Sequence, residues 1–253
     1  IDAGDSRISS SKIDLTYDGN RLEFAYNQES RILTANLPAE DGNMHRVALV
    51  VSDESGNLTR TGLTIPAGAT ATQPFIDMTG HWALANTAYL YDRGVVNGVN
   101  TDQGLNYNPD RSITRAEFAV LMKNWMGGKA TGYENTELPF VDKDAIPAWA
   151  LESVKAMYGM KIIMGTGTEN GLVFNPMGPI SRQEVMTIIG RTQIRGFAEG
   201  DLSVFSDGTE VADWALPYVR ALVNQLVVSG YEGKVWPKNP VTRAQVATII
   251  TIL

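Results

Sequence analysis

Ile113-Thr114-Arg115-Ala116-Glu117 returns as Ile180-Ser181-Arg182-Gln183-Glu184 and again as Val241-Thr242-Arg243-Ala244-Gln245. In each copy a hydroxyl residue (Thr114, Ser181, Thr242) is placed to cap a helix, accepting from the third backbone N–H of the turn that follows. A Glu or Gln three residues on (Glu117, Glu184, Gln245) reaches back to the N–H of the cap, which completes a capping box. The apolar residues before the caps, Ile113, Ile180 and Val241, are spaced to pack on Phe118, Val185 and Val246 as hydrophobic staples. The motif therefore predicts three helix starts. One residue stays outside this logic. Arg115, Arg182 and Arg243 take the first helical position, where the helix dipole prefers an anion and a cation costs a few tenths of a kcal/mol. A charge set three times against its local electrostatics marks these arginines as candidates for function.

Working outward, Phe75-Ile76-Asp77 recurs as Phe140-Val141-Asp142 and Phe205-Ser206-Asp207 at intervals of 65 residues. A Trp-Ala pair follows in each copy (Trp82, Trp149, Trp214), and 16 residues beyond each tryptophan stands a glycine (Gly98, Gly165, Gly230). Self-similarity of this length signals units that bury their apolar faces only together. Each unit reads as helix, loop, helix. The first helices carry the stripes Leu84, Thr87, Leu90, Tyr91, then Leu151, Val154, Met157, Tyr158, then Leu216, Val219, Leu222, Val223. The second carry Phe118, Ala119, Met122, with Val185, Met186, Ile189 and Val246, Ala247, Ile250 in the later copies. All are expected in the core from their helical spacing. The boundaries are set at 75–130, 138–195 and 203–253, with connectors at 127–135 and 195–200. The third copy departs from the others. Trp236-Pro237 replaces Asn108-Pro109 and Asn175-Pro176, its loop between Trp214 and Arg243 is four residues shorter, and Gln245 replaces the glutamate.

Upstream, the pattern changes to period two. Ile13, Leu15 and Tyr17, then Leu22, Phe24 and Tyr26 after the turn Asp18-Gly19-Asn20, read as strands of a hairpin. Further strands are expected at 32–37, 44–52 and 58–65, with turns at 41–43 and 53–57. Short strands at such spacing predict an antiparallel β-sandwich-like region over 1–70, a spacer joined by a linker at 71–74 within the Ala-, Thr- and Gly-rich stretch 66–74. The overall expectation is an α+β multidomain chain. His45 falls in a strand and is read as part of the spacer.

The 253 residues carry a net charge of −7 and no cysteine. Disulfide and thiol chemistry are excluded, and general attraction to nucleic acid or to an acidic membrane surface is not expected from an acidic chain. No apolar run approaches the roughly 20 residues of a membrane span. Because the chain begins at Ile1, it is expected to be a processed product or a piece of a longer protein. An anionic partner would have to be held by a few local cations.

The order Phe-x-Asp, Trp-Ala, glycine-bearing loop, Asn-Pro and Ile-Thr-Arg-Ala-Glu resembles the S-layer homology domain, three times over, across about 73–253. The run 50–57 also resembles the closing hairpin of bacterial immunoglobulin-like surface domains. The first resemblance implies a pseudo-threefold assembly with grooves between repeats, anchoring a bacterial surface protein at the extracellular cell wall. It implies non-covalent binding of secondary cell wall polysaccharide, with a pyruvylated amino sugar supplying a carboxylate. Arg115, Arg182 and Arg243 would then hold that carboxylate beside helix N-termini. Trp82, Trp149 and Trp214 would face the sugar ring, Asp77, Asp142 and Asp207 accept from its hydroxyls or amide, and Gly98, Gly165 and Gly230 let the groove wall come close. Each has a structural alternative: inter-repeat salt bridges for the arginines, core wedges for the tryptophans, caps or turns for the aspartates. Lys234 and Lys238 are available to charge the third groove, which the Gln245 departure puts in doubt. If the arginines are surface ligands, Arg115→Ala and Arg182→Ala lower affinity and leave the thermal midpoint nearly unchanged.

An enzyme is the rival class. The only histidines are His45 and His81, and His81 gives way to Ala148 and Asp213 in the other copies. A Ser-His-Asp base is therefore not repeated, and no HExxH spacing occurs. A carboxylate pair of the glycosidase kind stays open. No cofactor or metal is expected. Attachment to modified peptidoglycan, or a protein-interaction and self-assembly role with surface-protein neighbours, are the other readings.

Overall fold

The computed structural model describes residues 9–38, 45–52, 58–65, 74–193, 200–225, 227–228 and 230–253. The expected turns at 41–43 and 53–57, the linker at 71–74 apart from Pro74, and most of the 195–200 connector lie outside the described residues.

The N-terminal region is β-rich and antiparallel. β1 (Ile13–Tyr17) turns at Asp18 and Gly19, both with positive φ, into the two-residue β2 (Asn20–Arg21). On its other side β1 pairs with β5 (His45–Ser52), which pairs with β6 (Leu58–Ile65), giving the order β2-β1-β5-β6. The alternation buries Ile13 and Leu15 of β1 with Ala48 and Val51 of β5. The stretch read as one strand through Leu22, Phe24 and Tyr26 divides. The Leu22 N–H still donates to Leu15 O at 2.8 Å, whereas β3 (Phe24–Asn27) pairs forward with β4 (Ile32–Ala35) as a separate hairpin. His45 heads β5, its Nδ1 2.6 Å from the Asp18 carboxylate and its ring stacked on Tyr17.

The C-terminal region is helical, with six α-helices among the described residues. The first helices of the units are α1 (Leu84–Asp92), α3 (Ala148–Gly159) and α5 (Leu216–Asn224), and the second are α2 (Arg115–Met126), α4 (Arg182–Gln193) and α6 (Arg243–Thr251). The capping boxes form as expected at α2 and α6. At α4 the Glu184 carboxylate accepts from both the N–H and the hydroxyl of Ser181. All six staple residues are buried in one core cluster, together with the three second-helix stripes. Leu151 is a correction to the first-helix stripes, being exposed on α3.

The loops are more ordered than helix-loop-helix implied. β7 (Val99–Thr101) pairs with β8 (Gly104–Asn106), and β9 (Thr166–Thr168) with β10 (Gly171–Val173). In the third copy, whose loop is four residues shorter, the described residues form a single bridge, Tyr231 to Lys234.

The repeats are joined through their motif strands. Ile113 N–H donates to Val241 O at 3.0 Å, Val241 N–H to Ile180 O at 3.2 Å, and Ile180 N–H to Ile113 O at 3.3 Å, a closed ring of hydrogen bonds running 1 to 3, 3 to 2 and 2 to 1. The helices follow the same circuit. α2 packs on α3, α4 on α5, and α6 returns to α1, where the buried Asn86 amide donates to the Thr251 hydroxyl at 2.6 Å. Each unit thus completes its core with the first helix of the next.

Candidate functional site

The ring decides where the motif arginines point. Arg115 N–H donates to Gly178 O, Arg182 N–H to Asn239 O and Arg243 N–H to Arg111 O, so each helix starts against the loop of a neighbouring repeat. Arg115 extends into repeat 2, where its Nε donates to Phe174 O at 2.6 Å and its Nη1 pairs with Glu184. Arg243 extends into repeat 1, with Nε on Tyr107 O at 2.8 Å, Nη2 on Asn97 O at 2.9 Å and Nη1 3.6 Å from Glu117. Both are only 9% exposed. These bonds give a folding reason for a cation at the first helical position. The premise that Arg115 is a surface group is corrected by its burial.

Arg182 breaks the pattern. Its neighbour in the circuit is repeat 3, where the glutamate is Gln245, whose amide oxygen accepts from Thr242 N–H at 3.1 Å. Among the described residues no hydrogen-bond or carboxylate partner takes up the Arg182 side chain, and its Nε is buried without an acceptor. Burial lowers its pKa, offset in part by the charge of Asp207.

The two motif carboxylates that are present are held ionised. Burial alone would raise Glu184, but the Arg115 charge and the hydrogen bonds from Ser181 and Arg115 bring it below the ordinary carboxylate value. Glu117 is lowered in the same way, burial being outweighed by Arg111, Thr114 and Arg243. The Arg111–Glu117 pair was not anticipated from sequence.

The aspartates serve the loops. Asp77 accepts from Tyr107 and Asn108 N–H at 2.8 and 2.7 Å, Asp142 from Phe174 and Asn175 at 2.9 and 2.7 Å, and Asp207 from Val235 and Trp236 at 2.8 Å each. These bonds hold Asn108, Asn175 and Trp236 at positive φ before their prolines. The glycines admit a side chain of the protein itself. A Cβ on Gly98, Gly165 or Gly230 would come within 2.8 Å of the ring of Phe75, Phe140 or Phe205 respectively. The tryptophans stay out of the core, with Trp82, Trp149 and Trp214 at 61%, 56% and 51% exposed.

Two clefts bring some of these groups together, each drawing on all three repeats, whereas Arg182, Trp82, Gly98, Gly230 and the three aspartates line neither. One, of about 520 Å³, joins Gly165, Glu184 and Arg191 of repeat 2 to Arg115 of repeat 1 and Trp214 and Lys238 of repeat 3. The other, of about 110 Å³, joins Asn97, Glu117 and Asn124 of repeat 1 to Arg243 of repeat 3 and Trp149 of repeat 2. Lys238, read as a charge for the third groove, lines the larger cleft instead, while Lys234 lies 4.5 Å from the Trp236 ring centre. Arg191 was missed. Its signal was spacing, since it follows Glu184 by seven residues, two turns along the same helical face. No group of His, Cys, Asp and Glu among the described residues is arranged to hold a metal, and no helix among them is long and apolar enough to cross a membrane.

The family model of the S-layer homology domain matches residues 74–119, 139–186 and 204–247. The chain is similar to the S-layer protein EA1 of Bacillus anthracis, 29% identical over 194 residues, covering 76% of the chain and 21% of that protein. It is similar to the exoglucanase XynX of Acetivibrio thermocellus, 28% identical over 201 residues, covering 77% and 17%. A cellulosome-anchoring protein of the same organism is 28% identical over 150 residues, covering 59% and 32%. The chain thus spans a third or less of the length of each of these relatives.

Proposed function

Because the chain belongs to the S-layer homology family, we propose that 75–253 form a pseudo-threefold module anchoring a bacterial surface protein, non-covalently, to secondary cell wall polysaccharide. The closed hydrogen-bond ring and the helix circuit support the pseudo-threefold arrangement. The ligand is a pyruvylated amino-sugar terminus, bound in clefts that each combine three repeats. The observation that carries this reading is that a half-exposed tryptophan and a buried arginine line each of the two clefts, Trp214 with Arg115 and Trp149 with Arg243. A flat apolar face for a sugar ring lies next to positive charge in an otherwise acidic chain.

Trp149 and Trp214 are proposed as the platforms within the two clefts, and Trp82, which lines neither, as the platform of a third groove. Arg182, which lines neither cleft and has no ion-paired carboxylate among the described residues, is proposed as an anion contact of that third groove. Arg115 and Arg243 act from the cleft floor, and the aspartates 77, 142 and 207 with the glycines 98, 165 and 230 shape the loops around the ligand. The module binds and does not cleave. Residues 1–70 act as a β-sandwich-like, immunoglobulin-like spacer, and surface-layer or other wall-bound proteins are the neighbours.

The test is co-sedimentation with isolated Gram-positive walls before and after hydrofluoric acid, which removes the phosphodiester-linked secondary polymer. Binding that disappears with the polymer, with no reducing ends released from untreated walls, is the expected result. Binding that survives extraction would overturn the polysaccharide assignment in favour of modified peptidoglycan.

A further inference from the structure

The two clefts differ in charge. In the larger one the motif pair Arg115–Glu184 is internally neutral, and two further cations remain. Arg191 donates from Nη1 to Ile162 O at 2.8 Å, its guanidinium carbon lies 5.8 Å from the Tyr218 ring centre, and no carboxylate among the described residues is within ion-pair distance. Lys238 stands 3.4 Å from Glu210, but both side chains are more than half exposed, and a loose pair in water is worth about 0–1 kcal/mol. Neither cation is repeated. Counting from the motif arginine, Arg191 corresponds to Asn124 in repeat 1 and Ile252 in repeat 3, and Lys238 to Asp110 and Met177. The smaller cleft therefore carries an amide where the larger has a guanidinium. Size separates them as well, since small-ligand pockets span roughly 300–1,000 Å³. The cleft of about 520 Å³ lies within that range, and the one of about 110 Å³ lies below it.

We propose that the larger cleft is the principal acid-sugar site of the chain. It takes one carboxylate-bearing sugar residue, with Arg191 and Lys238 supplying the charge and Trp214 the ring platform. This deepens the wall-glycan reading and rests on it. Arg191 brings a planar fork of donors to a carboxylate, and Lys238 adds a mobile point charge from the opposite repeat. The ligand carboxylate is met by groups outside the repeated motif, so the repeats are unequal in use although alike in fold.

The experiment is calorimetric titration of the whole chain with methyl glycosides of pyruvylated N-acetylglucosamine and N-acetylmannosamine, and with their neutral methyl esters. Saturation near one equivalent of an acid form is expected, with at least tenfold weaker binding of the corresponding ester. Arg191→Gln and Lys238→Gln should each weaken binding of the acid about tenfold. Lys238→Gln alters an exposed side chain, so its effect does not pass through folding. Lys129→Gln, at an exposed cation that lines neither cleft, should leave affinity unchanged, and Glu210→Gln should raise it about twofold. Equal affinity of acid and ester, or wild-type affinity in both cation variants, would overturn the proposal. Wall sedimentation of the same variants separates the two levels: loss of the cleft assignment with walls still bound by the wild type leaves anchoring intact, whereas walls never bound would overturn both.

Discussion

Replacing Gln245 by glutamate is expected to stabilise the protein. In repeat 2, Glu184 gives one oxygen to the Ser181 cap and the other to Arg115; in repeat 1, Glu117 gives one to the Thr114 cap and turns the other toward Arg111 and Arg243. Gln245 already makes the cap bond with its oxygen, so its amide nitrogen is left where the second carboxylate oxygen would be. By analogy with Arg115 and Glu184, the Arg182 guanidinium is expected to face that nitrogen, a donor in place of an acceptor. The Arg115–Glu184 side chains are 11% and 22% exposed, which sets the environment of the new pair. Two charges about 4 Å apart at an effective dielectric of about 20 attract by about 4 kcal/mol. Desolvating a carboxylate that keeps partial contact with water removes about half of that, while the guanidinium is already desolvated in the wild type. A net gain of about 1–2 kcal/mol remains, or about 3–6 °C in thermal midpoint for a chain of this size. Scanning calorimetry of wild type, Gln245→Glu, Arg182→Met and the double variant closes the cycle. A midpoint that fails to rise, or a gain that persists when Arg182 is Met, would refute the placement of these two side chains.

Asp142→Ala strips two backbone N–H groups of a charged acceptor and is expected to cost about 2–4 kcal/mol, seen as a fall of about 5–12 °C in midpoint. Gly165→Ala adds a methyl 2.6 Å from the Phe140 ring at a φ of +73°, so circular dichroism should report a loss of at least about 2 kcal/mol. Acid should weaken the fold through Glu117 and Glu184. Both are lowered below their ordinary value of 4.5, so their stabilisation is complete above that pH and lost as pH falls through the folded values. In Glu184→Gln the acid slope in urea titrations should flatten.

The fold was legible where its causes are local. Thr114 with Glu117, and Ile113 with Phe118, encode a helix start within six residues, and three copies of that code give three second helices with the right core stripes. The antiparallel strands of the first region were readable from alternation, but their pairing was not, since Phe24–Asn27 pairs forward with Ile32–Ala35 instead of back onto Ile13–Tyr17. What sequence could not supply was direction between repeats. Arg115 has no visible partner within its own unit because Glu184 stands 69 residues on, and only the hydrogen-bond ring brings them together. A shorter separation, 23 to 25 residues within one repeat, hid the work of Gly98, Gly165 and Gly230, whose neighbours are the phenylalanines of the Phe-x-Asp triplets. The loop hairpins went unread because three-residue strands rich in Gly, Thr and Asn lack an apolar alternation. Trp236 takes over a left-handed position that asparagine fills elsewhere, at φ +55°, and nothing in its type announces that.

The division of labour between buried arginines and exposed tryptophans is tested most directly by pairing two variants in two assays. Trp214→Ala should weaken wall sedimentation at least tenfold and move the thermal midpoint by less than about 2 °C, since the side chain is half in water. Arg115→Ala should lower the midpoint by about 6–12 °C, because it orphans the Glu184 carboxylate and the Phe174 carbonyl at a repeat junction. A Trp214→Ala protein that holds the wall as tightly as the wild type, or an Arg115→Ala protein that melts unchanged while releasing the wall, would contradict it.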